Sequence, residues 1–226
     1  MIVLENIEKT YGEGETATTV LQGINLKIEE GEFVAIMGPS GSGKSTLLNI
    51  LGTLDVPSSG NYLFFDTEIG NLNQDQRALF RRHVLGFIFQ GYNLLKKTTS
   101  LENVEIPLIY QGLDAMTCKK MAYDALEKVG LQDRIFYEPG QLSGGQQQRV
   151  AIARAMVTHP KVLIADEPTG NLDTKRGHEI MELITTFNKQ GITVIMVTHE
   201  EDIAAYASRT IYLRDGMIEK EVNHAS

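Results

Sequence analysis

The residues best suited to chemistry lie in four short runs. In the first, Gly38, Pro39, Ser40, Gly41, Ser42, Gly43, Lys44 and Ser45 spell G-x-x-x-x-G-K-[ST], with Thr46 next in the chain. Glycines at 38, 41 and 43 free backbone N–H groups to converge on phosphate oxygens at a helix start, where the helix dipole also favours an anion. Lys44 is spaced to reach β- and γ-phosphates, and the Ser45 hydroxyl to ligate Mg²⁺. A glycine-rich turn with a chance lysine would share these letters. The complete motif between an apolar run and a helical one favours a nucleoside triphosphate site.

The second run, "KVLIADEPTGNLD", is an apolar strand that ends in acid. Asp166 there suits a carboxylate that holds Mg²⁺ through its water shell. Glu167 follows, facing the other way if the strand alternation persists, and could polarise a water for in-line attack on the γ-phosphate. Acids after strands also cap whatever comes next, a reading that the phosphate loop makes less economical. In the third run, "TVIMVTH", His199 ends another strand. A lone histidine is usually structural, but ligands gather at the carboxyl ends of strands in open α/β sheets. The fourth run, "QLSGGQQQR", has a Ser143 N-cap and two glycines before a helical pattern. That is a second helix start able to hold an anion, or simply a capped helix.

The elements that must position these residues alternate. Phe33 to Met37, residues 161–165 and Thr193 to Val197 are short apolar runs expected as buried strands of a parallel sheet. A helical run from Ser45 follows the phosphate loop. Ile180, Leu183, Ile184 and Phe187 mark one face of a helix after Asp173, stopped by Gly191. An α/β core with right-handed crossovers is therefore expected. Residues 91–159 carry few strand signals. There Met121, Ala122, Ala125, Leu126 and Val129 form a stripe between an expected Thr117 N-cap and a Gly130 stop, so this region is expected as an inserted helical lobe. Residues 2–65 read as strand-rich, with turns at "YGEGE" and "PSSG".

Composition limits the classes. The 226 residues suit one domain, and 21 basic against 29 acidic side chains leave a net charge of −8, which argues against a general nucleic-acid binder. The one cysteine, Cys118, excludes an intrachain disulfide and suits a reducing compartment. The acidic start "MIVLENIEKT" is unlike a signal peptide. No apolar run approaches the ~20 residues of a membrane-spanning helix, so any membrane role is expected through a partner.

Together these runs resemble the ATP-binding subunits of ABC transporters, in the expected order and over nearly the whole chain. "LSGGQ", which is Leu142, Ser143, Gly144, Gly145 and Gln146, is similar to that family's signature. The resemblance implies a P-loop NTPase, RecA-like α/β core (residues 1–90 and 160–226) with an N-terminal antiparallel β part and an inserted helical subdomain (residues 91–159). It implies ATP and Mg²⁺ as ligands. Tyr11 of "KTYG" looks like the aromatic that stacks on adenine, and Gln90 of "FIFQ" like a glutamine that senses Mg²⁺ and γ-phosphate. Asp166 and Glu167 look like the metal acid and catalytic glutamate, Asp173 of "GNLD" like the D-loop acid, and His199 like the switch histidine. Lys44, Glu167 and His199 would be catalytic; Ser45, Gln90 and Asp166 would face the metal. Two copies would meet head to tail, so that each signature loop completes the partner's site. A membrane permease would dock beside Gln90, with Tyr92, Asn93, Leu94 and Leu95 as candidate contacts, which places the chain in the cytoplasm against the inner face of the cell membrane. "EFVAIMGPSGSGKSTLLNILGTLD", "FIFQGYNLL", "LENVEIPL" and "DEPTGNLD" are similar to the MacB-like and LolD-like branch, which implies export or release of macrolides, peptides or lipoproteins. Gly140 and the "NLD" form of the D-loop depart from common patterns without removing a catalytic group.

Two other readings keep the ATPase and change its partner. A soluble ABC protein of DNA repair of the long-arm kind would carry coiled coils between the two glycine-rich loops, and no heptad run stands there; a ribosome-acting one would generally carry two ATPase halves. A subunit that regulates a membrane partner without transport would share every motif.

Overall fold

In the computed structural model, which describes residues 1–224, two sheets share the chain. The first contains β1 (Ile2–Tyr11), β2 (Thr18–Ile28) and, later, β4 (Ser59–Phe64) and β5 (Thr67–Glu68), in the order β2-β1-β4-β5, all antiparallel. Between β1 and β2 a short 3₁₀ turn, Gly14–Thr16, occupies the expected "YGEGE" turn. At "PSSG" the expected turn is partly strand, since Ser59 and Gly60 belong to β4. Gly60 has φ +93°, and a side chain there would overlap the Asn6 carbonyl where β1 bulges, so glycine lets β4 run past.

The second sheet is built from β3 (Phe33–Met37), then β6 (Leu85–Phe89), β7 (Val162–Asp166), β8 (Thr193–Val197), β9 (Arg209–Arg214) and β10 (Met217–Asn223). Its order is β10-β9-β3-β8-β7-β6, parallel except at the β10 edge. The strand expected at 161–165 runs one residue later, because Asp166 still pairs in register with Phe89 and Val197. Alternation divides the sheet's side chains between two cores. Val34, Ile36, Val162, Ile164, Ile195 and Val197 pack with β1, β2 and α1 (Lys44–Leu51). Ala35, Met37, Leu163, Ala165, Val194 and Met196 pack towards the helices. Both faces are covered, which is why these strands read as unbroken apolar runs. Each fully buried aliphatic side chain contributes about 1.5–3 kcal/mol of transfer free energy.

Helices α2 (Gln74–Val84), α3 (Ser100–Tyr110), α4 (Ala115–Lys128), α5 (Gly144–Met156), α6 (Thr174–Lys189) and α7 (Glu201–Ala204) complete the fold. Among the described residues the regular structure between 91 and 159 is entirely helical. The helix expected to be capped by Thr117 begins earlier. Asp114 is the N-cap, accepting from the Met116 and Thr117 N–H groups, and Thr117 Oγ1 donates to its carboxylate at 2.6 Å. No described helix is long and apolar enough to cross a membrane.

Candidate active site

The phosphate loop leaves β3 and enters α1 under tight steric control. Gly38 has φ +151°, and a Cβ there would overlap the Leu213 carbonyl. Gly43 is the N-cap of α1 with φ +100° and makes no side-chain cap hydrogen bond. By contrast α2, α3 and α5 each begin with a capping box. The first turn of α1 therefore keeps its N–H groups for a ligand, as an anion site requires. Lys44 Nζ folds over the loop and donates to the Gly38 and Pro39 carbonyls, each at 2.8 Å. Ser42 is buried, and its Oγ has no hydrogen-bond partner; that hydroxyl faces Gly38.

A cleft of about 780 Å³ is lined by Val20, Gly38 to Ser40, Gly41, Gly43 to Thr46, Glu167, Val197 and His199. The ends of β3, β7 and β8 thus deliver the phosphate loop, the acid and the histidine to one place, as expected from strand-end geometry. Val20, on β2, is a lining residue that no sequence signal marked.

Glu167 does not continue the strand alternation. Its φ is +44°, an uncommon conformation for a side-chain-bearing residue, and its N–H is held by the Val197 carbonyl at 2.9 Å. That twist brings Glu167 Oε1 to 3.1 Å from His199 Nδ1. Asp166 stands beside it, half-buried, with its pKa raised by burial and by the Glu167 charge and lowered in part by Lys44. A Cβ on Gly170 would come 2.7 Å from Gln90 Nε2 and 3.3 Å from Glu167 Oε2, so the glutamine amide and the carboxylate converge there.

The remaining expected residues do not line this cleft. The Tyr11 hydroxyl donates to Asp55 Oδ2 at 2.7 Å, with Lys9 Nζ 4.8 Å from the ring centre. Asp173 caps α6 through the Arg176 N–H. Residues 142–146 do not line the cleft. Ser143 and Gln146 close a capping box at the start of α5, with Ser143 Oγ accepting from the Gln146 N–H at 3.4 Å. The Leu142 side chain is buried in the helical core and so anchors the loop. Among Tyr92, Asn93, Leu94 and Leu95, Leu94 packs against the core, Leu95 is exposed, and Asn93 lines a separate groove.

The site can hold a polyphosphate on the α1 N-terminus with Lys44 as countercharge. The Ser45 hydroxyl and Asp166 carboxylate are of the hard-oxygen type that Mg²⁺ takes. Among the described residues no three His, Cys, Asp or Glu side chains converge as a metal site; a Mg²⁺ shared with phosphate oxygens needs no such cluster.

A phosphate loop feeding α1 from β3 of a parallel sheet, with an acid pair closing β7 on the far side of β8, defines a P-loop nucleotide hydrolase. Residues 21–170 match the model of the ABC transporter family, and the chain belongs to that family. An ABC transporter ATP-binding protein of Methanocaldococcus jannaschii is 53% identical over 99% of this chain and 100% of its own length. The macrolide export ATP-binding/permease protein MacB of Bdellovibrio bacteriovorus is 53% identical over 98% of this chain, which spans only 34% of that relative. Among solved structures, the dimeric post-hydrolysis state of the ATP-binding cassette MJ0796 with ADP and Pi superposes with a TM-score of 0.92 at 44% identity, covering 100% of both chains. The fold is that of an ABC ATPase, and the chain is an ATP-binding, ATP-hydrolysing cassette.

Proposed function

We propose that two copies of this chain close head to tail around two ATP molecules and drive a separate membrane permease from its cytoplasmic face. The observation that carries the reading is that one loop with anion-binding chemistry, residues 143–145, stands outside the cleft made by the other. A second copy supplies it to that cleft. The MJ0796 cassette was solved as a dimer, which supports this arrangement. Residues 1–90 with 160–226 act as the nucleotide-binding core, and residues 91–159 as the helical subdomain.

In the assigned roles, backbone N–H groups of the phosphate loop and Lys44 hold the β- and γ-phosphates, and Tyr11 takes the adenine. Ser45 and Asp166 would hold Mg²⁺, beside Gln90, and that ion would supply charge neutralisation of phosphate oxygens. Glu167 accepts the proton of the attacking water. His199, whose Nδ1 meets Glu167, orients that carboxylate and offers its other ring nitrogen to the γ-phosphate. Asp173, at the start of α6, stands at the dimer face. Loss of the γ-phosphate removes the bridge between copies, and the dimer loosens.

For the permease, an apolar groove of about 590 Å³ runs beside Asn93, lined among others by Leu54, Phe87, Ile106 and Tyr110. Its charged lining residues are Arg81, Arg82 and Arg154, in a chain of net charge −8. That combination suits an apolar segment carrying a carboxylate. The MacB relatives, of which this chain spans about a third, are named as macrolide exporters. They support export or release of a macrolide, peptide or lipoprotein as the coupled process.

The reading is tested with Glu167→Gln, which keeps Asp166. This variant is expected to bind ATP, to lose turnover by about a thousandfold, and to elute as a dimer only with ATP. Ser143→Arg in the same background is expected to abolish that dimer without weakening ATP binding to the monomer. A parallel loss of monomer affinity would put residues 143–145 on their own chain's nucleotide and defeat the composite site.

A further inference from the structure

The turn that carries Gln90 leaves β6 in an unusual conformation. Tyr92 and Asn93 have φ of 60° and 49°, a region that asparagine adopts readily but that is uncommon for a tyrosine. The surroundings here are specific. Asn171 Nδ2 donates to the Gln90 carbonyl at 2.8 Å. Arg154 forks across two peptides further on, Nη2 to the Tyr92 carbonyl at 2.9 Å and Nη1 to the Asn93 carbonyl at 2.6 Å. Among the described residues Arg154 has no carboxylate partner, so these two carbonyls are what its charge meets. Charge-assisted bonds of this kind are about twice as strong as neutral ones, and the fork fixes orientation as well as distance.

Arg154 lies near the C-terminal end of α5, the helix whose N-terminus presents residues 143–145. The same turn also touches that N-terminus, because a Cβ on Gly144 would lie 2.9 Å from the Tyr92 hydroxyl. The middle of the helix makes a parallel connection. Gln148, fully buried, donates from Nε2 to the Pro168 carbonyl at 2.6 Å, one residue beyond Glu167. The helix is therefore bonded along its length to the two loops whose side chains converge over Gly170.

We infer that Arg154 is a positioning residue that binds the Gln90 turn to the signature helix, so that displacement of Gln90 in one site moves residues 143–145 in the other. The inference rests on the composite-site reading above and adds the route by which the two sites sense each other. Tyr92 meets the tip of the helix at Gly144 and Arg154 holds the turn from its base.

The test is a double-mutant cycle in the Glu167→Gln background, read as the ATP concentration for half-maximal dimerisation. Arg154→Gln removes the charged fork and is expected to raise that concentration about tenfold, while Arg154→Lys, which keeps the charge but not the fork, raises it less. ATP affinity of the monomer is expected to stay within about twofold, because Arg154 does not line the phosphate cleft. Gln90→Ala alone also weakens dimerisation. Combined with Arg154→Gln it should weaken it no further than the more severe single change, since both cut one link. Losses that multiply, or an Arg154→Gln protein that dimerises at the parent's ATP concentration, overturn the inference. If circular dichroism shows Arg154→Gln unfolded, the cycle is run with Arg154→Lys, and multiplying losses again overturn it. A parent that stays monomeric at saturating ATP would instead sink the composite site, so the two failures are told apart.

Discussion

Asp166 closes β7 half out of water with Glu167 next in the chain, and both features oppose its ionisation. For a carboxyl whose folded pKa is raised, the stability it lends is present at acid pH and lost as pH rises through the folded value. Above that value the ionised Asp166 burdens the nucleotide-free protein, which is how a metal site stores affinity. Asp166→Asn is therefore expected to raise neutral-pH stability by about 1 kcal/mol while removing Mg²⁺-dependent turnover. The advantage should shrink as pH falls and vanish below about pH 3, under the unfolded-state value, where Asp166 is protonated in both states. Melting both proteins across that range checks it, and an asparagine variant less stable at neutral pH would contradict the assigned environment. Residues such as Asp166, Glu167 and His199 were legible because each ends an apolar strand in a chain that also has a phosphate loop. Arg154, Gln148 and Asn171 were not, because they act on backbone carbonyls. A carbonyl belongs to every residue type, so no pairing of letters marks it.

At the scale of elements, strands β3, β7 and β8 were readable to within a residue, since burial on both faces demands unbroken apolar runs. Helix starts were harder. Asp114 and Thr117 are both good caps, three residues apart, and spacing alone does not choose between them. The structure chooses Asp114 because its carboxylate accepts two N–H groups and the Thr117 hydroxyl as well. Asp114 also has its pKa lowered, first by the Thr117 hydroxyl and next by backbone N–H groups. Asp114→Ala is expected to destabilise the protein, and Thr117→Ala to do so by less, since it leaves both backbone bonds in place. Urea unfolding of the two variants decides the order; a larger loss at Thr117 would restore it as the cap. The sheet of β1, β2, β4 and β5 was visible as strands but not in its pairing, which rests on long-range register and the β1 bulge.

At the scale of the molecule, the two glycine-rich helix starts differ in a way that only the assembled fold displays. The N-terminus of α1 has no side-chain cap and opens into the cleft, whereas at the start of α5 the Ser143 and Gln146 N–H groups are capped by each other's side chains. The first start is thus ready for phosphate within one chain. The second must exchange a weak internal bond, 3.4 Å from Ser143 Oγ to the Gln146 N–H, for a phosphate presented by another copy. Binding that requires a second copy makes stability depend on protein concentration, because the bound dimer is favoured over two unfolded chains by mass action. The Glu167→Gln protein with saturating ATP should therefore melt at temperatures that rise with protein concentration. A hundredfold increase is worth about 2.7 kcal/mol per dimer, a shift of a few degrees for a chain of this size. Without nucleotide the melting temperature should not move over the same range, and with ATP plus Ser143→Arg it should not move either. An ATP-loaded protein whose melting temperature ignores concentration would mean that each chain holds its nucleotide alone.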